Sequence, residues 1–212
     1  MNTRPRCTAF HEAGHVLAFW WNGQRIKRVT VRTRAEALIG PMVDLRGNLQ
    51  AVKGLVEADY LVPLPAFEPP GIAEHLPSMI SAIERDLVDC FAGPMAEAIY
   101  RHCPVDRCLQ RSGAGDRQRG MELIRLLPAR MVLEAEPLAI ARASCLVHRY
   151  WAVVSAVAQY LHAQGTVNGE DISALLCQLS GESPTPLGNL LSDLDTRHNR
   201  HATTRLRPVC LA

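Results

Sequence analysis

The sequence predicts a mainly α-helical domain carrying one small β-hairpin. Two observations lead there. Aromatic residues are only 5% of a chain that is 48% apolar, so the core must be built from Leu, Val, Ile and Ala. Ala and the unbranched apolar residues lose little on entering a helix. Apolar residues also recur at helical spacing along most of the chain, and the strand-like stretches are short and lie just after the first helix. A length of 212 residues suits one domain with a tail.

Residues 5–21 read as a helix that is apolar on most sides and therefore buried. Asn22 and Gly23 end it. A strand is expected over 26–32, where Ile26, Val29 and Val31 stand among basic residues, with 38–45 as its hairpin partner. Prolines 63, 65, 69, 70 and 77 mark a loop over 62–77. A helix follows over 77–102, with Ile80, Ile83, Leu87, Cys90 and Phe91 at helical spacing; Pro94 either kinks it or opens a second helix. A loop at 103–115 leads to helices over 116–127 and 137–164, a turn at 167–170, and a last helix at 171–179. The domain is thus expected over 1–180, and the polar stretch 181–212 as a disordered tail.

Bulk properties narrow the function. Net charge is +2 and the arginines are dispersed, so no nucleic-acid interface is expected. The longest apolar runs, such as 16–21, are far too short to span a membrane. The first ten residues are polar and include Arg4 and Arg6, unlike a signal peptide, and the seven cysteines are an odd number. The expectation is a cytoplasmic protein with reduced thiols. Cys103 and Cys108, with His102 adjacent, are a weak metal candidate, because a structural zinc needs four ligands and no second Cys pair follows at suitable spacing.

The segment His11-Glu12-Ala13-Gly14-His15 carries the chemistry. Residues four apart share a helix face, so two imidazoles there can reach one Zn²⁺. Glu12 lies beside that face, where it can act as the base toward an activated water and return the proton to a leaving amine. Two histidines and a glutamate inside a buried helix would be costly without such a purpose. A catalytic zinc has three protein ligands and one open position. The pattern with a third His six residues after the second is absent, since Trp21 stands there. The candidates for the third ligand are Glu97, Asp116, His102 and His75. Taken alone, Asp116 reads as a helix cap beside Gly115, and Glu97 as an ordinary helix-surface acid.

Four segments, in order, resemble the peptidase domain of the FtsH family, the membrane-bound ATP-dependent zinc proteases. They are T-A-F-H-E-A-G-H-V at 8–16, R-V-T-V-R-T at 28–33, F-A-G-P-M-A-E-A-I at 91–99 and S-G-A-G-D at 112–116. The C-terminal pattern ending in G-E-D-I-S-A-L-L is also similar to that family's closing helical pair, so the resemblance covers about 8–180. It implies one zinc per chain, held by His11, His15 and Asp116, with Glu12 as catalytic base and Glu97 as a buried residue orienting the ligands. The expected activity is hydrolysis of peptide bonds in unfolded or extended protein segments.

This sequence departs from the family in three ways. The loop before Asp116 is one residue shorter, Pro94 replaces a helix-friendly residue, and no ATPase phosphate loop ending in Gly-Lys-Ser/Thr occurs. That leaves room for a separate ATPase or a homo-oligomer as partner. An extended peptide is expected to add beside the 28–33 strand, whose basic surroundings (Arg25, Lys27, Arg28, Arg32, Arg34) suit acidic segments or simply protect a sheet edge. The alternative is a non-catalytic, metal-containing regulatory or partner-binding module. The presence of Glu12 argues against it, because metal binding alone does not require a base.

Overall fold

The computed structural model describes residues 3–64 and 68–182. Its fold is mainly helical with a small antiparallel sheet, as expected. The first helix, α1 (Arg6–Trp21), is buried on nearly every side, from Ala9 through Trp21. It packs on α3 (Pro77–Tyr100), on α7 (Trp151–Gln164) and on the sheet, while α6 (Ala129–Arg149) lies against the far side of α3. Phe19 and Phe91 are fully buried among Leu, Ile and Val, and Trp20 and Trp21 are buried in the same core. Gly14 lets α1 and α3 approach closely: a Cβ there would stand 2.8 Å from the Ala96 Cβ and collide with the Ala92 carbonyl. Among the described residues no helix is long and apolar enough to cross a membrane.

The sheet departs from the expected hairpin. β1 (Ile26–Val31) is the middle strand of three, antiparallel to β4 (Gly54–Ala58) and to β5 (Thr166–Asn168). Val29 faces Val56 on one side and Val167 on the other, and all three are buried. Residues 38–45 do not pair with β1. Thr33 and Glu36 form a reciprocal cap, Thr33 N–H donating to Glu36 Oε2 at 2.6 Å, which starts α2 (Arg34–Ile39) and turns the chain away. Beyond it β2 (Met42–Val43) pairs only with β3 (Leu49–Gln50), across a turn in which Asp44 Oδ1 accepts from the backbone of Arg46 and Asn48. An extended peptide therefore cannot add beside 28–33, because both edges of β1 are occupied.

Other boundaries shift for identifiable reasons. α3 runs unbroken through Pro94. The proline-rich loop contains a 3₁₀ turn at Ile72–His75, and 65–67 lie outside the described residues. The loop at 103–115 holds a short helix, α4 (Val105–Leu109), and α5 (Ala114–Ile124) begins two residues before Asp116. The long helix expected over 137–164 is two helices, α6 and α7, divided at Tyr150. Pro137 lies inside α6 and does not begin it; the carbonyl it frees belongs to Leu133, which is highly exposed and open to water. The turn at 167–170 is β5 leading into α8 (Gly169–Ser180), capped by Asn168 Oδ1, which accepts from Glu170 N–H at 2.8 Å. The tail expected over 181–212 lies outside the described residues from 183 onward.

Candidate metal centre

His11 and His15 project from one face of α1, as their spacing requires, and are 7% and 8% exposed. Their Nε2 atoms lie 3.1 Å apart. Asp116, in the first turn of α5, closes the triangle: Oδ2 is 3.1 Å from His11 Nε2 and Oδ1 is 3.4 Å from His15 Nε2. Ligand atoms on a tetrahedron around zinc, at bond lengths of 2.0–2.2 Å, stand about 3.3–3.5 Å apart. The contacts here involve both Asp116 oxygens; with one ligand atom taken from each residue, the three atoms lie within 4.8 Å of one another, close enough to hold a metal ion. Among the described residues, this is the group of His, Cys, Asp or Glu side chains close enough together to hold a metal ion. The Asp116 side chain is 27% exposed and those of the histidines 9% and 10%, so the group is reached from the Asp116 side.

The other third-ligand candidates fall elsewhere. Glu97, from α3, stands behind His11, its Oε2 accepting from Nδ1 at 3.0 Å. This contact turns Nε2 toward His15 and Asp116. Glu97 is held in turn by Ser112, whose Oγ donates to Oε2 at 2.6 Å, and by Arg101, which donates to Oε1 at 2.7 Å. His75 lies in the 3₁₀ turn and His102 just past the end of α3, and neither joins the group. Cys103 and Cys108 lie against each other, and among the described residues no third ligating side chain meets them.

Several residues that shape the centre carry no signal in the sequence. His15 Nδ1 donates to the Asp89 carbonyl at 2.7 Å, so a backbone oxygen fixes the second ring. Gly93 leaves the space that ring occupies; a Cβ there would lie 2.6 Å from His15 Cε1. Gly54, the first residue of β4, lies over Glu12, where a Cβ would stand 2.7 Å from the Glu12 Cγ. Pro94, the departure inside α3, supports the short loop: a side chain at Gly113 would run into its ring. Close approach of this kind is visible only once distant segments are folded together.

Burial and the close pairing of carboxylates with imidazoles set the electrostatics of the site. Burial acts to lower the His11 pKa, but hydrogen bonds to Asp116 and Glu97 outweigh it and raise the imidazole to about 10. Burial acts to raise Asp116, yet His15 and His11 pull its carboxyl well below the usual range. Glu97 is likewise drawn down to about 2 against its burial, by His11, Ser112 and Arg101. Glu12 moves the other way: burial raises it, with His11 and His15 only partly opposing.

Compared with known proteins, the sequence matches no family model, and no curated protein matches it.

Proposed function

We propose that this chain is a zinc-dependent endopeptidase of the FtsH peptidase type, acting on unfolded or extended protein segments. The observation that carries this reading is the convergence of His11, His15 and Asp116, with one ligand atom from each lying within 4.8 Å of the others, and with buried Glu12 next to His11 on the same helix. Three of the segments behind the resemblance, at 8–16, 91–99 and 112–116, contribute to that one point.

His11, His15 and Asp116 would hold the zinc ion, which would supply Lewis acidity toward water and a scissile carbonyl. The remaining roles belong to the chain. Burial raises the Glu12 pKa above its ordinary value, which suits a group that must first accept a proton from water and then deliver it to the leaving amine. Glu97 and the Asp89 carbonyl keep both rings oriented.

Substrate placement follows from the sheet. Among the described residues no strand pairs with the outer edge of β4, and β4 begins at Gly54, directly over Glu12. An extended peptide added to that edge by backbone pairing would run past the metal site. A cavity of about 490 Å³ borders the same strand, with Tyr60 and Arg119 in its wall. Two of the basic residues near β1 are paired, Lys27 with Asp59 and Arg28 with Glu57, which reduces the free positive charge there. Backbone pairing therefore leads substrate selection, ahead of charge.

Metal analysis combined with a casein-type cleavage assay tests the reading. Purified protein should hold about one zinc per chain, and His11→Ala should lose it. Glu12→Gln should keep the metal and cleave about 10²–10⁴-fold more slowly. If wild type and Glu12→Gln are equally inactive on unfolded substrates with zinc bound, the peptidase reading fails in favour of a partner-binding module.

A further inference from the structure

The chain leaves α3 through a residue in the left-handed region. His102 has φ 51°, its N–H donates to the Ile99 carbonyl at 3.1 Å, and the Cys103 N–H donates to the Ala98 carbonyl at 3.0 Å. This pair of bonds is a common way to close a helix, but glycine usually occupies the left-handed position. A histidine there carries backbone strain, and the strained turn delivers Cys103 to the first residues of α4. The Cys103 and Cys108 Sγ atoms face each other at 3.8 Å. Cys103 is partly exposed, whereas Cys108 is buried.

We propose that Cys103 and Cys108 are a reversible intramolecular disulfide site. A disulfide bond is about 2.05 Å long. The sulfurs must therefore close by less than 2 Å, which side-chain rotation and a small shift of one corner can supply. Two thiols at this spacing could also be two zinc ligands, but a structural zinc takes four. Among the described residues no third His, Cys, Asp or Glu reaches them.

A low-molecular-weight disulfide such as oxidised glutathione is a sufficient oxidant. The Cys103 thiolate attacks one sulfur of the reagent and releases one small thiol. Cys108 loses its proton to solvent and attacks the Cys103 sulfur, releasing the second small thiol. Two protein thiols are oxidised to one disulfide, and one small disulfide is reduced to two thiols. Exposure sets this order. The Cys108 thiol is pushed up to about 12 by burial, by the Glu97 carboxylate and by its neighbour, so it reacts second and from close range.

The bond would brace a corner that matters. The Cys108 carbonyl accepts from Arg111 N–H at 3.0 Å and from Gly113 N–H at 2.9 Å. Ser112, between those residues, holds Glu97. The disulfide would tie the end of α3 to the turn from which Ser112 and Asp116 are presented. The proposal stands whether or not the chain is a peptidase.

The experiment uses the full zinc-loaded chain, incubated with oxidised glutathione, blocked with a thiol alkylating agent and digested with trypsin without reduction. Cleavage after Arg101, Arg107 and Arg111 separates the two cysteines into peptides 102–107 and 108–111. The expected product is these two peptides joined, two hydrogens lighter than their sum and released by dithiothreitol, with the protein still of single-chain size. Cys103→Ser should abolish the joined product while leaving the circular-dichroism spectrum unchanged. Separate alkylation of both cysteines, a stable glutathione adduct on Cys103, or cross-linked dimers through these residues would overturn the proposal. So would protection of both thiols by a bound metal with no change in mass.

Discussion

Gly93→Ala tests the geometry of the centre without removing any ligand. A Cβ at this position would stand 2.6 Å from His15 Cε1. Non-bonded carbons settle at about 3.5–4.0 Å, so the imidazole must retreat by about 1 Å. A metal site tolerates ligand displacements of about 0.2 Å, several times less. The helix itself should gain, because alanine is favoured over glycine inside a helix by about 1 kcal/mol. The variant should therefore fold, with a helical circular-dichroism spectrum and a melting temperature near wild type when metal-free. Zinc affinity, measured by competition with a chromogenic chelator, should fall at least 10–100-fold, the scale seen when ligand orientation is disturbed. Wild-type affinity in folded Gly93→Ala would refute the placement of the His15 ring, and with it the centre as described.

Glu97→Gln removes the carboxylate that receives His11, Ser112 and Arg101, and should weaken zinc binding about 10–100-fold; a chelator titration matching wild type would remove its orienting role. Zinc binding near pH 8 should release about one proton, because His11 is protonated up to about 10 in the metal-free protein. Calorimetry in buffers of different ionisation enthalpy reads this directly, and zero release would contradict it. In the metal-free protein the His11 contribution to stability is fully present below 6.5 and is lost as pH rises through about 10. Asp89 behaves oppositely to most acids: burial, then the neighbouring Asp86, raise its carboxyl well above 3.8, and its Oδ2 has no hydrogen-bond partner. The folded state thus holds that proton more tightly, and stability falls as pH climbs from 3.8 through the folded value. Asp89→Asn should flatten that decline and raise the melting temperature at neutral pH; an unchanged slope would show that Asp89 is not the group responsible.

The parts legible in the sequence are those that depend on local periodicity. α1 and α3 were predicted within a residue or two, because apolar spacing and Gly or Pro punctuation act over single turns. His11 and His15 come together for the same reason. Asp116 is different: it stands among four candidates for the third ligand, its own neighbourhood suggests a helix cap, and only the resemblance singles it out from Glu97, His102 and His75. The strands that flank β1 were hidden. β5 is three residues long and β4 starts with glycine, so neither carries enough alternation to register. Gly54, Gly93 and Asp89 were missed because their contribution is empty space or a backbone oxygen, and neither has a side-chain signature.

α1 is both the most buried helix of the fold and the carrier of three of the four residues assigned to the chemistry. In most enzymes the reactive groups sit on loops that can open without unfolding the scaffold. Under the proposed function, metal occupancy and the integrity of the whole domain would be thermodynamically linked. A ligand bound only by the native state adds RT ln(1 + [L]/Kd), about 4 kcal/mol when the ion is a thousandfold above its dissociation constant. That is a large share of the 5–15 kcal/mol that holds a typical domain together. If the site holds zinc as proposed, withdrawal of the ion would shift the unfolding midpoint of the entire protein, so its availability would bear on the survival of the fold as well as on the site.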